Sequence, residues 1–165
     1  MLRCASRSVA PILLILAGLM VFGGCQKNKM IPNTKLRDTK LNREVLRVVE
    51  TYRRAMEKRD AARVLALVHP TYQDNSGTPE ASDDLDYRGV RDLLAGRFKR
   101  ATRVRFRIEY QRLETKGREA AVDTWIDATF VYEQPDSPPR WRRFTDYNRF
   151  RLLKDGRTWR FIGGL

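Results

Sequence analysis

Two polar side chains interrupt the apolar side of a segment near the carboxyl end of the chain. Phe144, Phe150 and Leu152 recur with the period of two that is typical of a strand, and Asp146 and Asn148 share their side. A carboxylate and an amide on a buried face must either bond to other polar groups or line a pocket. Both interpretations stay open, and hydrogen-bonded packing is favoured over a ligand pocket.

Residue types that other common sites require are scarce. The chain has two cysteines, Cys4 and Cys25, and one histidine, His69, which precedes Pro70 at the end of a helical stretch. That position is typical of a packing or capping residue, and the clustered ligands of a zinc site are missing. We therefore expect no metal, no cofactor and no thiol nucleophile.

The opposite side of the predicted strands combines arginines with aromatic residues. This basic surface consists of Arg103, Arg105, Arg107, Trp125, Tyr147, Arg149 and Arg151. Such a surface can bind a polyanion, form cation–π pairs or provide the contact of a homodimer. The alternative is a solvated face whose charge is shielded by Asp123, Asp127 and Glu109.

The first 24 residues have the pattern of an export signal. Two arginines precede an uncharged apolar run over residues 9–24, and small residues stand directly before Cys25. This run is shorter than the ~20 apolar residues of a membrane-spanning helix. Residues 21–25 (VFGGC) resemble the bacterial lipobox, which implies cleavage before Cys25 and attachment of lipid, including palmitate, to that cysteine. Gln26 then favours the outer membrane over the inner membrane.

Export changes the meaning of the positive charge. A formal net charge of +13 would indicate a nucleic-acid partner in a cytosolic protein. A protein anchored to the cell envelope meets anionic lipids, lipopolysaccharide or wall polymers instead, and the same attraction applies to them. We therefore expect membrane attachment through lipid on Cys25, contacts with these polyanions, and no nucleic-acid partner.

Helical patterns come first in the mature chain. Residues 25–40 are polar and basic without sustained periodicity, which predicts a flexible tether. Apolar residues spaced by three and four predict an amphipathic helix from Leu41. A short second helix ends before His69, and a third is predicted from about 87 to 101.

Strand patterns follow. After Thr102 the apolar period becomes two, and four strands are predicted with turns at Lys116 and Gly117, at residues 134–139, and at Asp155 and Gly156. Three helices followed by four meandering strands indicate an α+β domain over residues 41–165. Its helices would pack on a curved, mainly antiparallel four-stranded sheet.

These segments together resemble the nuclear transport factor 2-like superfamily, a cone-shaped, cystatin-like fold. The resemblance is carried by residues 52–55, 59–60, 64–67, 72–74, the helix over 87–101, residues 148–152, Asp155, Gly156 and Trp159. It implies a curved sheet that wraps the first helix and encloses an apolar cavity. Members include ketosteroid isomerase, polyketide cyclases of the SnoaL-like type, limonene epoxide hydrolase and non-catalytic binding domains.

The resemblance also implies site residues. Ketosteroid isomerase uses a tyrosine and a protonated carboxylic acid as oxyanion donors beside a carboxylate base. Tyr52 matches the tyrosine, and Asp74 matches the base after a two-residue gap. Asn148 stands at the position of the acid, with Asp146 two residues before it. The implied pocket is lined by these four residues, with Asp74 and Asp146 as candidate catalytic groups and no catalytic residue assigned.

We therefore predict a membrane-anchored lipoprotein whose domain binds a small molecule or an envelope partner without catalysis. The first alternative is an enzyme of the isomerase, cyclase or hydrolase type that uses Asp74 or Asp146 as a general base. The second alternative is a structural adaptor that binds polyanions of the envelope through the basic sheet face.

Overall fold

The computed structural model describes residues 29–75, 84–134 and 137–165. The predicted signal peptide over residues 1–24 and the predicted lipidation site at Cys25 lie outside these ranges. Within them, no helix is long and apolar enough to cross a membrane. The same residues contain no group of His, Cys, Asp or Glu that could hold a metal ion.

Three helices precede the large sheet in the described part of the chain. They are α1 (Lys40–Lys58), α2 (Ala61–Leu65) and α3 (Tyr87–Arg100). Each begins at a polar side chain that accepts a hydrogen bond from the backbone N–H three residues later, which satisfies one of the unpaired donors of a helix start. These N-cap residues are Thr39, Asp60 and Asp86. The position at which each helix begins is therefore set by one of these polar residues.

In the residues that the structure describes, six strands form two antiparallel sheets. The strands are β1 (Gln73–Asp74), β2 (Leu85–Asp86), β3 (Arg103–Lys116), β4 (Glu119–Gln134), β5 (Ser137–Asp155) and β6 (Thr158–Gly163). The first two pair with each other, and the others form one sheet in the order β3-β4-β5-β6. The predicted α+β architecture with four antiparallel strands is therefore confirmed.

The large sheet buries one face and exposes much of the other. Every second residue is buried over most of β4 and at the start of β3, as the period of two predicts. We call the buried side the inner face; it includes Val104, Phe106, Val122, Ile126 and Phe150. The residues between them form the outer face. Apolar residues of α1 and α3 pack on the inner face, so one core lies between the helices and the sheet.

Side chains of α1 bind the backbone of β3, one edge of the large sheet, at Phe106. The backbone N–H of Phe106 in β3 donates to Glu57 at 3.2 Å, and its carbonyl accepts from Arg53 at 3.3 Å. Arg53 also binds Glu50 and Glu57, at 2.8 and 2.7 Å. These bonds satisfy polar groups that an outer strand would otherwise leave unpaired.

The packed domain begins upstream of the predicted boundary at Leu41. Leu36 is buried in the core, and a β-bridge joins Met30 to Arg37. One buried leucine inside a turn produces no periodicity, so the sequence pattern of a tether could not reveal it. Only residues 26–28 separate Cys25 from the first described residue.

Strand β5, the third of the four predicted strands, is longer than predicted. The loop expected over residues 134–139 is mostly strand, because β5 begins at Ser137 and includes Pro138 and Pro139. Proline cannot donate a hydrogen bond, so it is tolerated in a strand that has a partner on one side only. In the described residues, β5 pairs with β6 only from Arg151 onward. The first half of β5 is therefore an edge.

Candidate functional site

Tyr52 lies inside the core and is enclosed by aromatic rings. Its side chain comes from α1, and its ring meets Phe106, Phe150 and Phe161 edge to face, with centroid distances of 5.6, 5.6 and 5.4 Å. Burial raises the pKa of the Tyr52 hydroxyl well above its ordinary value, so the group stays neutral. This geometry is that of a packing residue with three edge-to-face partners.

Asp74 binds the segment that follows β6. Its Oδ2 accepts a hydrogen bond from the backbone N–H of Gly164 at 2.6 Å and another from the Tyr72 hydroxyl at 3.1 Å. The Tyr72 oxygen in turn accepts from the backbone N–H of Leu165 at 2.8 Å. Burial raises the pKa of Tyr72, which keeps its hydroxyl a donor to the carboxylate. The predicted base is thus part of a hydrogen-bonded chain.

Asn148 completes this arrangement. Its side-chain N–H donates to the carbonyl of Gly164 at 2.8 Å, while Asp74 binds the N–H of the same residue. Gly164 has a φ of +90°, and a Cβ there would lie 2.1 Å from the backbone oxygen of Arg149. Only glycine fits this position without strain. We call Tyr72, Asp74, Asn148 and Gly164 the tail clamp.

Asp146 takes no part in the tail clamp. It lies on the inner face opposite Ile126, two residues from Asn148, but its side chain is exposed. Phe144, on the same face, is 53% exposed. Among the described residues the Asp146 carboxylate makes no hydrogen bond or ion pair. The structure therefore brings Asp74 and Asn148 together at Gly164, places Tyr52 in the adjoining core, and leaves Asp146 in solvent.

The outer face carries exposed aromatic rings. Trp125 and Tyr147 are paired across β4 and β5, with ring centroids 4.7 Å apart at an interplanar angle of 67°. Tyr147 is 75% exposed and Trp141, on the same face, is 69% exposed. The sequence analysis missed Trp141 because the prolines before it predicted a loop. Its spacing of six residues from Tyr147 was the signal that places both on one face.

The arginines of the basic surface divide into two groups. Arg149 forms two hydrogen bonds with Asp123, at 2.6 and 3.0 Å. Arg151 reaches over Gly163 and donates to the carbonyl of Gln73 at 2.8 Å. The predicted shielding by Asp123 therefore applies to Arg149, while Arg151 binds backbone rather than an acidic residue.

The three arginines of β3 form the other group. The side chains of Arg103, Arg105 and Arg107 are exposed and make no ion pair or hydrogen bond within the described part of the chain. The acid beside them, Asp127, is engaged by Arg143 at 2.9 and 3.0 Å. The hydrogen bond from Arg143 lowers the pKa of Asp127, and so, more weakly, does the charge of Arg107 and Arg105. This end of the outer face therefore carries unneutralised positive charge.

Comparison of the sequence with protein-family models and with curated proteins finds no match. Solved structures are similar in fold. A protein of Streptomyces avermitilis named as a dehydratase of the nuclear transport factor 2-like family is 12% identical, with a TM-score of 0.63 over 74% of this chain and 92% of that chain.

Two other solved structures agree. A conserved protein from Planctomyces limnophilus is 10% identical, with a TM-score of 0.64 over 74% of this chain and 91% of that one. A protein of Novosphingobium aromaticivorans named as a scytalone dehydratase is 13% identical, with a TM-score of 0.61 over 75% of this chain and 80% of that one. The chain therefore has the nuclear transport factor 2-like fold.

Proposed function

We propose that this chain is an exported lipoprotein, anchored by lipid on Cys25, whose nuclear transport factor 2-like domain binds an envelope partner without catalysis. Similar structures include proteins named as dehydratases and as an aromatic ring hydroxylase. One fold hosts many activities, so the function has to be argued from the residues at the site.

The proposal that the domain acts without catalysis rests on the tail clamp. A general base needs an oxygen that can reach a substrate proton. The Oδ2 atom of Asp74 already accepts two hydrogen bonds, and the Asn148 amide is bound to Gly164. Tyr52 faces phenylalanine rings. Asp74 and Asn148, two of the four polar groups that the family resemblance would use for chemistry, are therefore engaged in holding the chain itself.

A ligand screen tests this part. We expect apolar compounds that carry one carbonyl to leave the midpoint of thermal unfolding unchanged, because Asp74 and Asn148 are bound to Gly164 and the Tyr52 ring is enclosed by phenylalanine rings. A stabilising compound whose effect disappears in Asp74→Asn would instead support the enzyme alternative. Asp146→Asn is the matched control, since that carboxylate is exposed and makes no bond among the described residues.

The anchor is supported by the pattern of residues 1–25, in which a positive start and an apolar run lead to small residues before Cys25. Two or more acyl chains would make membrane attachment stable, since each buried methylene contributes about 0.8 kcal/mol. The test is incorporation of labelled palmitate in cells. We expect labelling of the natural sequence and of Cys4→Ser, the matched control in the removed segment. Loss of the label is expected only in Cys25→Ser; an unlabelled natural sequence would contradict the proposal.

A further inference from the structure

We propose that the outer face of the large sheet lies against the anionic phospholipid headgroups of the bilayer that holds the lipid on Cys25. The surface consists of Arg103, Arg105, Arg107, Trp125, Trp141 and Tyr147, and we call it the docking face. This inference rests on the proposed anchor. The membrane contact is tested on a chain without lipid, so the proposed contact and the proposed anchor can fail independently.

The short reach of the anchor brings some face of the domain to the membrane. Four chain steps separate Cys25 from Lys29, which is at most about 14 Å of fully extended chain. Lys29 is held to the domain, because its carbonyl accepts from the N–H of Asp38 at 2.7 Å. The bridge from Met30 to Arg37 holds the same segment. A lipid on Cys25 would therefore leave the domain little freedom to move away from the bilayer.

The chain segment that follows the anchor lies beside β3, the edge strand of the docking face. Residues 32–35 border a surface hollow together with residues 108–111 of β3. In this part of the sheet, Glu109, Trp125 and Tyr147 lie side by side across β3, β4 and β5. Because neighbouring strands are about 4.8 Å apart, Tyr147 is roughly 10 Å from the edge strand along this row. Residues 32–35, which follow the anchored start of the chain, thus lie beside β3 at the border of the outer face.

The chemistry of the docking face matches an anionic bilayer surface. Tryptophan and tyrosine favour the headgroup level, where an apolar ring and a polar tip are both accommodated. Trp141 and Tyr147 are exposed by 69% and 75%. Arginines without an acidic partner can bind lipid phosphates, and the acids Asp123 and Asp127 are already engaged by other arginines.

A second copy of the chain fits this face less well. A symmetric dimer would bring the same patch of both copies together. It would then place two sets of three unpaired arginines in one interface, where like charges oppose association. An anionic surface neutralises the same groups, so the membrane is the occupant that the charges favour.

The test uses the chain from residue 25 onward with Cys25→Ser, which retains every buried residue of the described core and cannot be acylated at that position. The probes are phosphatidylcholine vesicles with and without phosphatidylglycerol. We expect sedimentation only with the anionic vesicles at low salt. Release is expected near 0.15 M salt, where the Debye length is about 8 Å. Replacing Arg103, Arg105 and Arg107 by glutamine should weaken partitioning roughly 100-fold, because three basic contacts are lost.

The matched control replaces three exposed arginines of the helices, Arg47, Arg63 and Arg88, by glutamine, which removes the same charge from other surfaces. We expect it to weaken partitioning less than about tenfold, since these arginines lie on the helices, which pack against the opposite face of the sheet. Equal weakening by the two triple variants would overturn the proposal. Absence of binding by the unsubstituted chain would overturn it as well.

Tryptophan fluorescence gives a second, residue-specific measurement. Brominated anionic lipids should quench the emission of the exposed Trp141 and, less strongly, of the half-buried Trp125, and leave that of Trp159, which is 3% exposed, unchanged. Replacing Trp125 and Trp141 together by phenylalanine should therefore remove the quenching. Quenching that persists unchanged in this double variant would place the contact elsewhere. A dimer whose dissociation constant changes in the Arg103, Arg105 and Arg107 variant, without vesicle binding, would make a second copy the occupant and refute the membrane. Palmitate labelling decides the anchor separately.

Discussion

Removing the Asp74 carboxylate should destabilise the domain, because the tail clamp loses its central acceptor. Asp74→Ala leaves the N–H of Gly164 and the hydroxyl of Tyr72 without their bonds of 2.6 and 3.1 Å. Hydrogen bonds to a charged group each contribute about 1.5–3 kcal/mol. Asp74 is only half-buried, so water can partly replace both bonds. We therefore expect a loss of about 2–3 kcal/mol in the free energy of unfolding.

The assay is reversible unfolding by urea and by heat at neutral pH. For a domain of this size, the expected loss corresponds to a fall of roughly 8 °C in the unfolding midpoint. Asp146→Ala is the matched control: the same residue type is removed from an exposed position without bonds among the described residues. Its free energy of unfolding should change by no more than about 0.5 kcal/mol.

A double-mutant cycle with Tyr72→Phe makes the test specific to the clamp. Because Tyr72 donates directly to Asp74, the two changes should be coupled by about 1 kcal/mol. An Asp74→Ala chain as stable as the natural one, or more stable, would refute the reasoning. That result would instead indicate a strained polar pocket of the kind that functional sites tolerate.

Three further outcomes follow from the packing and the charges. Gly164→Ala should lower the free energy of unfolding in urea by about 2 kcal/mol or more, since its Cβ would lie 2.1 Å from a backbone oxygen. The control is Gly96→Ala, whose Cβ would meet nothing within 4 Å among the described residues and which should stabilise α3 by about 0.5–1 kcal/mol. Tyr52→Ala should cost about 3–5 kcal/mol in the same assay by leaving a cavity between aromatic rings; a loss below about 1 kcal/mol would contradict the packing role. Hydrogen bonding to Arg53 lowers the pKa of Glu50 in the folded protein. Its contribution to stability is therefore present above the ordinary glutamate pKa and lost as the pH falls through the lowered one. Glu50→Gln should accordingly show a smaller loss of urea resistance between about pH 7 and pH 3 than the natural chain, and equal losses would show that the pair contributes nothing.

Periodicity alone determined the order and type of the large elements. The change from a spacing of three and four to a spacing of two predicts helices and then strands, because each apolar face has to be buried. The turns at Gly117 and Gly156 were also predictable, since glycine is the residue that most readily adopts the positive φ of a tight turn. The two glycines have φ values of 60° and 57°. The family resemblance was readable for the same reason, since it depends on the order of elements and a few turn residues.

Only the tertiary structure decided which polar residues meet. Asp146 and Asn148 have the same strand parity and looked equivalent in the sequence. Asn148 lies beside the segment after β6 and binds Gly164, whereas Asp146 lies where β5 has no second neighbour in the described residues. The period of a strand tells which side a residue faces, but not how far along the strand that side is covered. Leu36 is buried because distant segments pack over it, and Trp141 is exposed because no distant segment of the described chain covers it. A local sequence pattern contains no information about either.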